Sequence, residues 1–525
     1  MFNRNRFLRR IAAIASISLV TGCGLLSNGD PDSKGPIVVG TTSAPSTLDP
    51  AGAWDGSWEL FRNIYQTLLA YPNGATTPQP DAARSCAFTD RTNRTYSCTL
   101  RDGMRFADGD PLNARAVQHS IDRIRSINAP SGPAGLLGSL ETVEAVGDSE
   151  VVFHLNKPDA TFPFVLATPA MSIVDPGDYP AGSLRKGDDA EGSGPYRLQS
   201  YEDGKQAVLV RNDHYKGFAD RQNSAVTIRY FQDSATMVAA LRSGDVDTTY
   251  RGLAAGDVLA LQKRSDSDLQ LIDGAGTDIS YLVFNPKDSW ARQPAVRKAV
   301  AQIVDRGAIA HKVYRDTVDP LYSMVPKGLT GHTTAFFDTF GDPSVSRARK
   351  ILDGAGIHQR VPLTLWYTTD RYGSETAVMF QELKRQLDDS GLFDVTLRSR
   401  PWKTYVVGYQ KGEYPVFGRG WFPDFPDADN FIAPFVGREN ALGTPYPAKR
   451  ITTVLLPRSR TESDRGRVVK DLEAAQQIMV DDARLIPLWQ GRQFLAAHDD
   501  ISGAERSLDP STIMMMWELH RKTSW

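Results

Sequence analysis

A fold of α/β or α+β layers in two or three domains is what this sequence predicts. Three observations point there: a length beyond the reach of one core, a mosaic of short β-rich runs and amphipathic helices, and a composition typical of globular chains. At 525 residues the chain is too long for a single hydrophobic core. Apolar residues make up 41% and charged residues 23%, which separates it from disordered and membrane-embedded chains. After the first two dozen residues no apolar run reaches the ~18 residues of a membrane span.

The first element is an export signal. Arg4, Arg6, Arg9 and Arg10 precede an uncharged apolar stretch at 11–20, and Val20-Thr21-Gly22-Cys23 follows. A basic start, a ~10-residue apolar centre and small residues at the cut describe a secretory signal peptide, here residues 1–22. The stretch is too short to cross ~30 Å of hydrocarbon as a mature helix. A cysteine directly after the small residue is the lipobox pattern, in which the Cys23 thiol is acylated and anchors the protein to the lipid bilayer. Each buried methylene then adds about 0.8 kcal/mol. The expected location is the extracytoplasmic face of a bacterial cell membrane, lipid-anchored and not spanning. Removing four arginines leaves a body more acidic than the formal charge of −2, which argues against a nucleic-acid partner. Residues 23–35, with Ser27, Gly29, Pro31 and Ser33, read as a polar tether.

A strand is expected at 36–40. Cys86 and Cys98 flank a stretch that is polar at its centre, with Phe88 and Tyr96 towards its ends. That reads as a β-hairpin setting the two thiols opposite each other. Outside the cytoplasm such a pair oxidises to a structural disulfide. Neither C-x-x-C spacing nor neighbouring histidines support a redox or metal pair. Residues 151–155 and 207–210 read as strands. Residues 114–127, with Asn113 as N-cap, and 294–304 read as amphipathic helices. Two more are expected at 346–355 and 376–390, ending at Gly354, Gly356 and Gly391.

Enzyme signatures are missing: there is no H-E-x-x-H, no G-x-S-x-G and no P-loop. The eight histidines stand singly. Gly192-Ser193-Gly194-Pro195-Tyr196 lacks the lysine and helix start of a phosphate loop and reads as a tight turn. No catalytic residue, metal ligand or cofactor is assigned. The densest constellation is Trp421-Phe422-Pro423-Asp424-Phe425-Pro426-Asp427-Ala428-Asp429-Asn430-Phe431, with three carboxylates and four aromatics. It lacks the glycine and distal glutamate of an EF-hand. Two readings stay open: an acidic turn over buried aromatics, or a recognition loop that aims a carboxylate at a ligand cation between apolar walls.

Several stretches, in order, carry a resemblance. Ser46-Thr47-Leu48-Asp49-Pro50 is followed by Asn63-Ile64-Tyr65-Gln66-Thr67-Leu68-Leu69. Leu100-Arg101-Asp102-Gly103-Met104-Arg105-Phe106-Ala107-Asp108-Gly109-Asp110-Pro111-Leu112-Asn113-Ala114 leads into a helix holding Ser120 and Arg123. The G-S-G-P-Y turn comes next, then Ala239-Ala240-Leu241-Arg242-Ser243-Gly244-Asp245-Val246-Asp247. Tyr281-Leu282-Val283-Phe284-Asn285, Val296-Arg297-Lys298-Ala299-Val300 and Ile303-Val304-Asp305-Arg306 complete the set. Together they resemble the extracytoplasmic solute-binding proteins of peptide ABC transporters, the oligopeptide/dipeptide/nickel-binding family (family 5).

The resemblance implies a two-lobed periplasmic-binding-protein fold (type II, the large cluster with an extra domain), with the ligand cleft between the lobes. Lobe I would comprise 36–66, 191–276 and 488–525, an inserted domain 67–190, and lobe II 277–487. The G-S-G-P-Y turn, residues 281–285 and Leu485-Ile486-Pro487-Leu488-Trp489 would lie near the crossings, and hinge closure would enclose the ligand. In peptide-binding relatives the aspartate of a W-x-x-D pattern pairs with the peptide's α-ammonium. Trp421-Phe422-Pro423-Asp424 matches that spacing, so Asp424 inherits the role. Trp421 and Phe425 would be apolar walls, and Asp427 and Asp429 rim or loop-shaping groups. Ala428 departs from the proline frequent in relatives, which leaves the ligand class open.

The implied function is capture of peptides and their delivery to the permease subunits of an ABC importer, by a protein expected to be a monomer without cofactor. The alternatives are a carrier of the same fold for a nickel chelate, sugar or opine, and a peptide-signal receptor. An exported hydrolase would need a nucleophile or metal that the sequence does not display. The lack of a histidine cluster counts against nickel.

Overall fold

The computed structural model describes residues 35–52, 57–72, 75–263 and 268–522. Cys23, the expected signal peptide and the tether up to Lys34 lie outside the described residues. No helix among the described residues is long and apolar enough to cross a membrane.

Two strands carry the architecture. Leu269–Phe284 and Leu485–His498 run antiparallel, from Leu269 opposite His498 to Val283 opposite Leu485. Their ends feed different cores: Leu495 and Ala497 belong to one, and Leu282, Phe284, Ile486 and Leu488 to another. An eleven-stranded mixed sheet extends on both sides of them. Towards the first core come Thr248–Thr249, Ile37–Thr41, Ala225–Tyr230, Gln206–Arg211 and Tyr196–Glu202. Towards the second come Val416–Trp421, Val361–Thr368 and Phe393–Arg400. The last two are parallel and joined through helix Thr376–Asp389, as a parallel connection requires. The fold is α/β and two-lobed, with one sheet continuous between the lobes.

The ladder between the long strands slips between Ala275 and Ile279. Glycines sit at this point for steric reasons. A Cβ on Gly491 would stand 2.4 Å from Asp278 Oδ1, and one on Gly276 would stand 2.6 Å from the Gly491 carbonyl oxygen. Gln490 Nε2 donates to the Gly276 carbonyl at 2.7 Å and ties the irregular stretch together.

A separate antiparallel sheet has the order Ala83–Phe88, Thr95–Leu100, Glu150–Leu155, Leu140–Val146. Its first two strands are the expected hairpin, with Cys86 opposite Cys98 and the disulfide formed at an S–S distance of 2.05 Å. Helix Ala114–Ile127 lies in the same core, placing Val117, Ile121 and Ile124 among Val143 and Phe153. Asn113 caps it, its side chain accepting from the Arg115 and Ala116 N–H groups. Helices Pro294–Ile303, Val345–Asp353 and Thr376–Asp389 fall within two residues of the positions expected from sequence. The G-S-G-P-Y turn packs against the first helix, Trp58–Ile64, where Gly194 N donates to the Ile64 carbonyl at 3.0 Å.

Two of the stretches that carry the resemblance meet in a buried ion pair. Arg123 donates from Nη1 to Asp49 Oδ1 at 2.7 Å and from Nη2 to Asp49 Oδ2 at 2.5 Å, with both side chains almost fully enclosed. Arg123 Nε and Nη2 also reach the Pro180 and Ser183 carbonyls, each at 2.8 Å. The Ala51 and Arg185 N–H groups donate to the same carboxylate. A buried pair is tolerable only when its remaining bonds are satisfied in this way. Asp49→Ala is expected to strand the guanidinium and cost about 3–5 kcal/mol in urea unfolding. The double variant Asp49→Ala/Arg123→Met should lose less, because no charge is left buried alone. Equal losses from the two variants would show that the ion pair is not what the stretch is built around.

Candidate functional site

Strand Val416–Trp421 pairs with Leu269–Phe284 so that Trp421 faces Ile279, beside the slip in the ladder. The chain leaves the sheet there, and Ala428 and Phe431 of the following loop join a third core with Tyr281 and Phe417, while Phe425 joins the first. Pro423 and Pro426 then restrict the backbone of the following loop. Asp427 caps the short turn Ala428–Phe431, its side chain accepting from the Asp429 N–H at 2.8 Å. Asn430 holds the loop together: its Oδ1 accepts from Trp421 Nε1 at 3.1 Å and from the Asp424 N–H at 2.9 Å. Its Nδ2 donates to Asp424 Oδ2 at 2.7 Å.

All three carboxylates of this loop are buried. Arg465 donates to Asp427 at 2.8 and 3.0 Å, and Arg460 donates to Asp429 at 2.9 and 2.7 Å. Asp427 and Asp429 are thus internal anchors and do not stand at a rim. Phe425 packs against Phe164 of the other core, ring centroids 6.0 Å apart. The Arg460 carbonyl accepts from Ala160 N at 2.8 Å at the same junction. Phe425 and Asp427 face away from the cavities between the lobes, towards Phe164 and Arg465 respectively.

Asp424 and Trp421 line a cavity of about 440 Å³ between the lobes. That volume lies within the ~300–1,000 Å³ of small-ligand sites. Ser43, Trp58, Glu59 and Arg251 form one side of it; Arg371, Tyr372, Trp402 and residues 419–424 form the other. A second cavity of about 760 Å³ shares Ser43, Arg251, Arg371, Tyr372 and Phe422, and reaches Asp278 and Gly491 at the slip in the long strands. Burial lifts the Asp278 carboxyl above its ordinary value, while Arg251 pulls it down.

The cavity's cations are held in place by the fold. Arg251 pairs with Glu59 at 2.9 Å and donates to the Tyr250 hydroxyl at 2.7 Å from a left-handed backbone, φ 55°. Arg419 donates to the Ala441 carbonyl at 2.5 Å and lies 4.4 Å over the Tyr409 ring. Arg371 lies 5.3 Å over the Trp402 ring. Three guanidiniums and two carboxylates therefore line one space. Sequence reading assigned no role to these arginines, nor to Asn430, Arg460 or Arg465. Asn430 at least stood inside the aromatic-acidic stretch, and the others had no local signal.

Burial acts to raise the Asp429 carboxyl, but Arg460 and then Arg465 outweigh it and hold the group below the ordinary carboxylate range. A depressed value means that the pair's contribution is present above the unfolded aspartate value of about 3.9 and is lost as pH falls further. Wild type should therefore lose stability below about pH 4 more steeply than Asp429→Asn, which should be the less stable protein at pH 7. Parallel stability–pH curves for the two proteins would show that Asp429 carries none of this dependence.

Residues 77–443 match the model for bacterial extracellular solute-binding proteins, family 5, middle region. The probable D,D-dipeptide-binding periplasmic protein DdpA of Escherichia coli K12 is 27% identical over 493 residues, covering 90% of this chain and 91% of its own. Among solved structures, the periplasmic binding protein DppA of Helicobacter pylori, in complex with the peptide STSA, superposes with a TM-score of 0.78. It is 21% identical over 93% of this chain and 98% of that one. AgaA of A. tumefaciens R10, in complex with agropinic acid, gives a TM-score of 0.75 at 22% identity, covering 94% and 99%. The two-lobed fold and the match across most of the chain place it together with these proteins: the chain belongs to family 5 of the bacterial extracellular solute-binding proteins.

Proposed function

We propose that this chain captures short peptides between its lobes and hands them to an ABC importer, with Asp424 as the partner of the peptide's α-ammonium. The observation that carries this reading is the place of Asp424 on the wall of a cavity that also presents Arg251, Arg371 and Arg419. A short peptide is a zwitterion. Its ammonium suits a carboxylate and its terminal carboxylate suits a guanidinium, and such charge-assisted hydrogen bonds are about twice as strong as neutral ones. Peptide main chain can add strand-like hydrogen bonds that ignore side-chain identity. The name of DdpA and the STSA complex of DppA support a peptide ligand. The same fold holds agropinic acid in AgaA, so ligand class rests on the site and not on the fold.

In this reading lobe I comprises 36–66, 191–276 and 488–525, lobe II comprises 277–487, and 67–190 is the inserted domain. Closure bends the two long strands where their ladder slips, near 275–279. Trp421 is an apolar wall of the site, while Phe425 and Asp427 support the loop from behind. The protein acts as a carrier and performs no chemistry on its ligand. Acylated Cys23 would keep it at the outer face of the cell membrane, within reach of the permease.

Calorimetry on four combinations tests the site: wild type and Asp424→Asn, each with a short peptide and with its N-acetylated form. Losing one member of a desolvated charge pair costs about 2–5 kcal/mol, or roughly 30- to several-thousand-fold in affinity. Asp424→Asn and acetylation should each weaken binding by such an amount, and together by little more. Additive losses would sink the role of Asp424. A wild type that binds no peptide would move the ligand to another solute class.

The anchor is tested separately. Cys23→Ala should yield a protein that no longer sediments with membranes, since a protein without acyl chains lacks the ~0.8 kcal/mol per methylene that holds it there. Retention of the variant on membranes after a high-salt wash would refute the anchor.

A further inference from the structure

The turn Asp108-Gly109-Asp110, just before helix Ala114–Ile127, stands opposite Asp175, and the three aspartates converge. One carboxylate oxygen from each lies within 4.8 Å of the other two. Asp108 and Asp110 are exposed, whereas Asp175 is 5% exposed. Asp175 Oδ1 accepts from the Gly177 N–H at 2.6 Å. Its Oδ2 is buried and takes part in no hydrogen bond. A buried carboxylate oxygen without a donor is costly, because its desolvation is uncompensated.

The His214 ring lies beside Gly109 of the same turn, and its Nδ1 shares a hydrogen bond with the Phe106 carbonyl. Among the described residues no lysine, arginine or histidine forms an ion pair with Asp108, Asp110 or Asp175. Arg105, on the same turn, donates instead to the Gly109 carbonyl at 2.6 Å. Glu191 adds to the negative side, accepting from the Asp108 N–H at 2.9 Å. Burial raises the Asp175 carboxyl; the Gly177 N–H lowers it, and the charges of Asp108, Asp110 and Asp178 push it up again.

We propose that Asp108, Asp110 and Asp175 form a Ca²⁺ site, with water completing the coordination sphere. The donors are all oxygen, which suits a hard cation and not a soft transition metal. Their span of up to 4.8 Å is twice a Ca–O bond of about 2.4 Å, so the three oxygens fit around one ion. Mg²⁺ demands a near-ideal octahedron and gives up its waters reluctantly, so carboxylates carried by two separate segments suit it less well. The ion would join the turn to the segment after Pro169–Met171. That segment already touches the helix, where Val174 N donates to Ser120 Oγ at 2.9 Å. None of the three aspartates lines the cavity between the lobes, so the site is a structural clip independent of ligand capture.

The full chain, treated with EDTA and dialysed, is titrated calorimetrically with CaCl₂ alone. One equivalent is expected to bind, with a dissociation constant of roughly 10⁻⁴–10⁻³ M, as in extracellular modules. Asp110→Ala, at an exposed position safe for folding, should weaken binding at least about tenfold, and Asp175→Asn likewise. Saturating Ca²⁺ should raise the Tm of wild type by a few degrees, but not that of Asp110→Ala. The proposal is overturned if wild type takes up no Ca²⁺ below about 10 mM, or if Asp110→Ala binds as tightly as wild type. Mg²⁺ bound as tightly as Ca²⁺ would overturn the assignment of the ion.

Discussion

The backbone ladder between Leu269–Phe284 and Leu485–His498 is the constraint on which the rest of the molecule depends. Separate cores can stay connected only if the chain crossing between them has its polar groups satisfied, since an unpaired buried N–H or C=O is costly. Here the crossing strands satisfy each other. The sheet strands of each lobe are then added outside them. The slip at 275–279 places an irregular, glycine-lined stretch in the middle of this bridge, where ladder bonds resist bending least.

The aromatic-acidic loop follows from that geometry. It leaves the sheet next to the slip, so its residues must either face the cavity or pack between cores. Three buried carboxylates would be untenable without partners, and the fold supplies a different one to each: Asn430 for Asp424, Arg465 for Asp427 and Arg460 for Asp429. Pairs of this kind recover their desolvation cost poorly, so their contribution is to shape more than to net stability. Shape is what a binding wall needs. The contact of Phe425 with Phe164, and that of Arg460, the partner of Asp429, with Ala160, tie the same loop to residues 160–164.

The cavity between the lobes is also a statement about specificity. In the proposed reading, guanidiniums and carboxylates on both sides of the cavity would disfavour purely apolar ligands, since their own desolvation must be repaid by charge pairing. Stacking of Arg371 on Trp402 and of Arg419 on Tyr409 fixes two of these charges before any ligand arrives. Less ordering is then left to be done on binding, which is how preorganisation raises affinity.

The sequence by itself determined what depends on near neighbours. Asn113 could be named as a cap, Cys86 and Cys98 as facing thiols, and Gly391 as a helix stop, because each rests on spacing along a single element. The ordered stretches from Ser46 to Arg306 sufficed for the two-lobed fold, and the W-x-x-D spacing singled out Asp424 and Trp421, both of which line the cavity. Only the tertiary structure decided which side of the loop Phe425 and Asp427 take, since Phe164 and Arg465 lie far away in the chain. It alone joined Asp49 to Arg123, gathered Arg251, Arg371 and Arg419 around one space, and set Asp175 against Asp108 and Asp110. The physical reason is common to all of these. Charge pairing and cavity walls are made by residues brought together through the sheet, and no periodicity of helix or strand records such a meeting.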